Sequence, residues 1–188
     1  MKRELLLLCI ASAAWSMGAL AEEVCKATQL KSPAPTLSEI YAMAQASAKA
    51  WKPDVVPTRV ANTTLGPLQP NGSAADWIVT FYSPAAKANV AISTTRGTYR
   101  CWADAGTPGR IPDLNADFLR DGAKLYALAK EHGAGLIGQG YIVMIGTAAA
   151  PETRHATWYI TYNKDNRNGN ISVTVDANTG AVEKVLKD

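Results

Sequence analysis

Histidine is nearly missing from this chain, with two in 188 residues beside three cysteines and two phenylalanines. No H-E-x-x-H and no G-x-S-x-G occurs, and neither histidine is paired in sequence with a Cys or Ser. A zincin helix and a nucleophile elbow are therefore excluded as local motifs. Lysine and arginine never form a run, and the net charge is only +3. Nucleic acid and anionic membrane lose their usual electrostatic footprint, so neither is expected as a partner. The composition points to no catalytic residue, no cofactor-binding residue and no metal ligand.

What is present begins with a leader. Lys2 and Arg3 precede an apolar run from Leu5 to Leu20, and Ala19-Leu20-Ala21 gives the A-x-A pattern before Glu22. Residues 1–21 are expected to be a signal peptide. The apolar run falls short of the ~20 residues of a spanning helix and is broken by Ser and Gly, which argues against a membrane anchor. Leu8 stands before Cys9 where a lipoprotein signal wants a small residue. Later segments are not long and apolar enough to span a bilayer, so the product is expected in the periplasm or secreted, without stable membrane insertion. Losing Lys2, Arg3 and Glu4 leaves 17 basic against 15 acidic residues.

Cys9 departs with the leader, which leaves Cys25 and Cys101. A disulfide between them is the default in an oxidising compartment, with free thiols or a metal pair as alternatives. Closing so long a loop would stabilise the fold by about 4 kcal/mol.

The chain also repeats itself at an offset of 81. Ala75-Asp76-Trp77-Ile78-Val79-Thr80-Phe81 falls on Ala156-Thr157-Trp158-Tyr159-Ile160-Thr161-Tyr162, and Asn89-Val90-Ala91-Ile92 on Asn170-Ile171-Ser172-Val173. Each copy reads as a helix followed by strands. In the first, Thr36 and Glu39 form a capping-box pattern. Leu37, Ile40, Tyr41, Ala44, Ala48 and Trp51 then make one helical face that ends at Pro53. In the second, Asp113 or Asp117 caps a helix striped by Leu114, Phe118, Leu125, Leu128 and Ala129 and stopped by Gly133. Period-two alternation places Trp77, Val79 and Phe81 on one strand face, and Trp158, Ile160 and Tyr162 on another. Thr58–Thr64 and Tyr141–Ile145 are candidate strands before them. Asn163–Asn170 is a hairpin loop, and Ala181–Leu186 a last strand. The expected fold class is α+β, two αβββ repeats, each a helix packed on an antiparallel sheet. The organisation is 22–102 for the first repeat, 103–112 for a Gly/Pro-rich linker and 113–188 for the second. Whether the repeats share one sheet or pack face to face is open.

Other motifs are weak. Gly133-Ala134-Gly135-Leu136-Ile137-Gly138 matches G-x-G-x-x-G, but a helix precedes it and a strand follows, the reverse of a dinucleotide site. It reads as a flexible connection. Asp176-x-Asn178-x-Gly180 lacks the acidic twelfth position of a calcium loop, where Lys187 stands. The tryptophans read as core, with Trp102 the better surface candidate. Asn62, Asn71 and Asn170 head formal glycosylation sequons.

Val173 to Val182, with its Asp176-Ala177-Asn178-Thr179-Gly180 turn between two strands, resembles the closing signature of PepSY domains. The resemblance covers about 114–187, and reaches 36–102 only through the repeat. Asp176, Thr179 and Gly180 are then a structural turn signature. The resemblance implies a non-enzymatic binding protein that inhibits or modulates a peptidase, so a protein partner such as a secreted peptidase is expected. An envelope-associated small-ligand binder and a hydrolase with spatially assembled residues are the other readings.

Overall fold

A computed structural model describes residues 22–149 and 154–187. The expected signal peptide at 1–21 lies outside the described residues. Nine strands and two helices follow in the order β1 (Glu22–Gln29), α1 (Leu37–Trp51), β2 (Val56–Asn62), β3 (Asp76–Ser83), β4 (Ala88–Thr95), β5 (Thr98–Ala105), α2 (Gly122–Gly138), β6 (Ile142–Ala149), β7 (Ala156–Lys164), β8 (Arg167–Asp176) and β9 (Val182–Lys187).

All nine strands form one antiparallel sheet in the order β1-β5-β4-β3-β2-β6-β7-β8-β9. This overturns the expectation of two αβββ repeats, each a helix on its own sheet. The repeated strands do not close two small layers. They lie side by side, because a helix over three strands would leave too little apolar surface covered. Two strands that had no place in the repeat extend the sheet: β5 continues the β3–β4 meander, and β1 adds to the edge beyond it.

The seam between the halves has little ladder of its own. Ala61 and Gly146 make its single bridge pair. Side chains supply bonds on either side of it: the Val60 N–H donates to Thr147 Oγ1 at 2.8 Å, and the Ile145 N–H to Asn62 Oδ1 at 2.6 Å. Asn62 Nδ2 in turn donates to the Gly66 carbonyl at 2.9 Å. Asn62 and Thr147 are both buried, so these bonds replace groups that would otherwise be orphaned. Burial also takes Asn62 out of consideration as a glycosylation acceptor.

Alternation decides which face is covered. Trp77, Val79, Phe81, Val90, Ile92, Ile145, Trp158, Ile160, Tyr162, Val173 and Val175 are all buried. Their registers across the sheet place them on a single face, where both helices pack. On α1 the capping box is complete, Thr36 accepting from the Glu39 N–H while the Thr36 N–H donates to Glu39 Oε2 at 2.8 Å. An aromatic path crosses from α1 to the other half: Tyr41 meets Phe118 edge-on at 5.0 Å, and Phe118 stacks on Trp158 at 6.4 Å. The Arg120 guanidinium lies 5.1 Å from the Tyr41 ring.

The second helix departs from expectation at both ends. Its N-cap is Asp121, which accepts from the Lys124 N–H at 3.0 Å, not Asp113 or Asp117. Leu114 and Phe118 belong to the segment that leads into it. Gly133 does not stop it: the helix continues to Gly138 with a kink at Gly133. A Cβ at Gly133 would overlap the Tyr162 ring, so glycine is there for close approach. The G-x-G-x-x-G residues are therefore mostly helical and lie at the C-terminal end of α2. The Asn163–Asn170 loop is also tighter than expected. Strands β7 and β8 run to Lys164 and from Arg167, with Asp165 and Asn166 at positive φ between them.

Candidate functional site

Because both helices lie on one face, no helix among the described residues covers the other face of the sheet. Its residues are the alternates of the core: Ile78, Thr80 and Tyr82 on β3, Ala91 on β4, Trp102 on β5, Met144 on β6 and Tyr159 on β7. Most are half-buried, and Tyr159 is exposed. A groove of about 990 Å³ crosses this face. Thr80, Asn89 and Ala91 line it from β3 and β4, Ala148 from β6 across the seam, and the Thr107–Arg110 segment from one side. Arg59, Asp104 and Arg110 bring charge to it and are exposed. Small uncharged side chains between charges of both signs suit a partner's extended segment better than a buried small molecule.

The disulfide residues meet. Cys25 and Cys101 are register partners on β1 and β5 and are joined by a disulfide, with their Cα atoms 5.2 Å apart. The bridge fastens the edge strand to the sheet, and bonds of this kind persist in oxidising compartments. Trp102 follows Cys101 on the open face, two residues before Asp104, which lines the groove. Trp77 and Trp158 are wholly buried and take no part in that face.

The signature turn is tightly hydrogen-bonded. Asp176 Oδ1 accepts from the Asn178 N–H at 2.8 Å and the Thr179 N–H at 2.6 Å, and Gly180 has φ +74°. Burial works to raise the Asp176 carboxyl, but these bonds, with Thr179 foremost, and nearby His155 outweigh it and hold its pKa below the ordinary value. Asn178, weighed in the sequence only as part of a calcium-loop pattern, has a longer reach. Its side chain accepts from the Asn115 N–H and donates to the Asp113 carbonyl, both at 2.7 Å, which fixes the segment leading to α2.

The same turn gathers residues that sequence order keeps apart. His155 Nε2 lies 2.7 Å from Glu183 Oε1 and 3.3 Å from Asp176 Oδ2. His132 is remote from this group and has Glu131 as its neighbour at 3.9 Å. Sequence spacing gives no hint of the trio. Only the β7–β8 register, which sets Thr157 opposite Asp176, brings His155 to the turn.

Among the described residues no helix is long and apolar enough to cross a membrane. No family model and no curated protein matches the chain. Among solved structures, a putative lipoprotein from Clostridium difficile 630 is similar at 17% identity and a TM-score of 0.47, covering 79% of this chain and 92% of its own. A likeness of this strength assigns no function.

Proposed function

We propose that this chain works outside the cytoplasm as a binding protein, and that it presents the helix-free face of its sheet to a partner. The observation that carries this reading is the groove of about 990 Å³ that runs across the seam on that face. A sheet with every helix on one side leaves such a face to solvent unless something covers it. The leader at 1–21 and the Cys25–Cys101 disulfide support the export half of the reading.

The partner class we propose is a secreted peptidase, inhibited or modulated by the chain. Its support is the resemblance of 114–187 to PepSY domains, centred on Asp176, Thr179 and Gly180. Titrating residues 22–188 into a panel of secreted metallo- and serine peptidases tests it. The expected result is dose-dependent loss of one activity, relieved at least tenfold when the groove is filled by Ala91→Trp. Undiminished activity across the panel sinks the peptidase reading. Undiminished peptidase activity together with a metabolite whose binding is abolished by Ala91→Trp would establish an envelope small-ligand binder instead.

A further inference from the structure

The geometry points to a divalent transition-metal site formed by His155, Asp176 and Glu183. Three separate pieces of the chain supply it: the residue before β7, the end of β8 and the edge strand β9. Their ligand atoms all lie within 4.8 Å of one another.

Charge and direction both favour a cation at the centre. Two carboxylate oxygens converge on a single imidazole nitrogen, at 2.7 and 3.3 Å from it. One N–H can point well at only one of them, and an imidazole carries at most one positive charge against two negative ones. A divalent ion bonded at about 2.0–2.2 Å to tetrahedral nitrogen and oxygen ligands places them about 3.3–3.6 Å apart. His155 and Asp176 already stand at 3.3 Å, and Glu183 at 2.7 Å would draw back by less than an ångström.

The carboxylates are also held in place from behind. Asp176 commits Oδ1 to the Asn178 and Thr179 N–H groups, so Oδ2 is the oxygen that faces His155. Glu183 accepts from Thr157 Oγ1 on Oε2 at 3.3 Å, which turns Oε1 inward. Fixing ligands through their second oxygen is how metal sites limit the rearrangement that binding requires.

The donor set selects the ion. One imidazole with two carboxylates suits zinc and its first-row neighbours, whereas calcium and magnesium take oxygen ligands. Three protein ligands leave at least one position to water. The residues are partly exposed, so binding is expected to be of modest affinity. Its effect would be to clip β9 to β7 and the turn. The competing account is an ion-pair network without a metal.

Calorimetry on chelator-stripped protein of residues 22–188 separates the two. Zinc chloride is titrated into the wild type, His155→Gln, Glu183→Gln and, as a control, His132→Gln. Calcium chloride is titrated into the wild type. Asp176 is left intact because it also builds the turn. The disulfide occupies Cys25 and Cys101, so no thiol competes. Expected is one zinc per chain, weakened at least tenfold in His155→Gln and in Glu183→Gln and unchanged in His132→Gln, with calcium far weaker. Circular dichroism on the variants shows that they remain folded. No zinc binding, zinc binding retained in both site variants, or calcium binding as tight as zinc would each overturn the assignment.

Discussion

Trp77 and Trp158 make the same hydrogen bond in the two halves of the sheet. Each indole Nε1–H donates to the carbonyl of a residue just ahead of a helix cap, Trp77 to Pro35 at 3.0 Å and Trp158 to Leu119 at 2.9 Å. The repeat therefore preserves a device by which a buried strand residue anchors the entry to its helix. Phenylalanine at either position fills most of the space but removes the indole donor. That leaves the Pro35 carbonyl with only the Ala74 N–H at 3.2 Å, and the part-buried Leu119 carbonyl without its indole partner. Trp77→Phe and Trp158→Phe should each cost about 2–3 kcal/mol in urea denaturation. Costs differing by more than about 1 kcal/mol would show that the two bonds are not equivalent.

Asn62 and Thr147 hold the seam that makes one sheet out of two halves. Removing the Asn62 amide strands the buried Ile145 N–H and frees the Gly66 carbonyl, so Asn62→Ala should destabilise by about 2–4 kcal/mol. Thr147→Val removes the acceptor for the Val60 N–H and should cost about 1–2 kcal/mol. Amide exchange at Val60 and Ile145 should speed up in the matching variant, ahead of the rest of the sheet. An Asn62→Ala cost below about 0.5 kcal/mol would mean that the seam is held by packing instead.

Gly133 and Gly135 should respond in opposite directions to alanine. Both lie in α2, where Gly→Ala ordinarily stabilises by about 0.5–1 kcal/mol. At Gly135 a Cβ meets nothing within 4 Å, and that gain is expected. At Gly133 it meets the Tyr162 ring, whose hydroxyl is itself fixed on the Ala129 carbonyl at 2.6 Å. Gly133→Ala should therefore destabilise by roughly 1–3 kcal/mol. Thermal melts of the two variants suffice, and a stabilising Gly133→Ala would remove the close-packing account of the kink.

What could be read from the sequence was local. Thr36 and Glu39 announce α1 because a capping box is complete within four residues. Trp77-Ile78-Val79 and Trp158-Tyr159-Ile160 announce β3 and β7 because alternation is a property of one strand. Nothing local marks β1: Glu22–Gln29 is a largely exposed edge without alternation. Gly133 reads locally as a helix stop because the reason for it, Tyr162, lies 29 residues on in another element. The joining of the halves depends on Asn62 and Thr147, whose partners are over 80 residues away. The groove and the His155–Asp176–Glu183 trio follow from strand order and register, so no motif search could reach them.

Tyr162 should make the protein sensitive to alkali. Burial pushes its phenol up to about 12, well above the ordinary 10.0. A folded-state value raised above the unfolded one contributes stability that is complete below about pH 10. That stability is lost as pH rises towards 12, because the unfolded chain gives up its proton first. A shift of this size corresponds to about 2–3 kcal/mol across the window. Burial raises Tyr41 and Tyr99 as well, so the wild-type decline alone does not identify the residue. The difference from Tyr162→Phe does. At pH 8 the variant should be less stable by about 1–2 kcal/mol, having lost the bond to Ala129. By pH 12 the gap should have closed or reversed. Urea midpoints for both proteins between pH 8 and 12 give the comparison, and an offset that stays constant across that range would place the alkaline transition elsewhere.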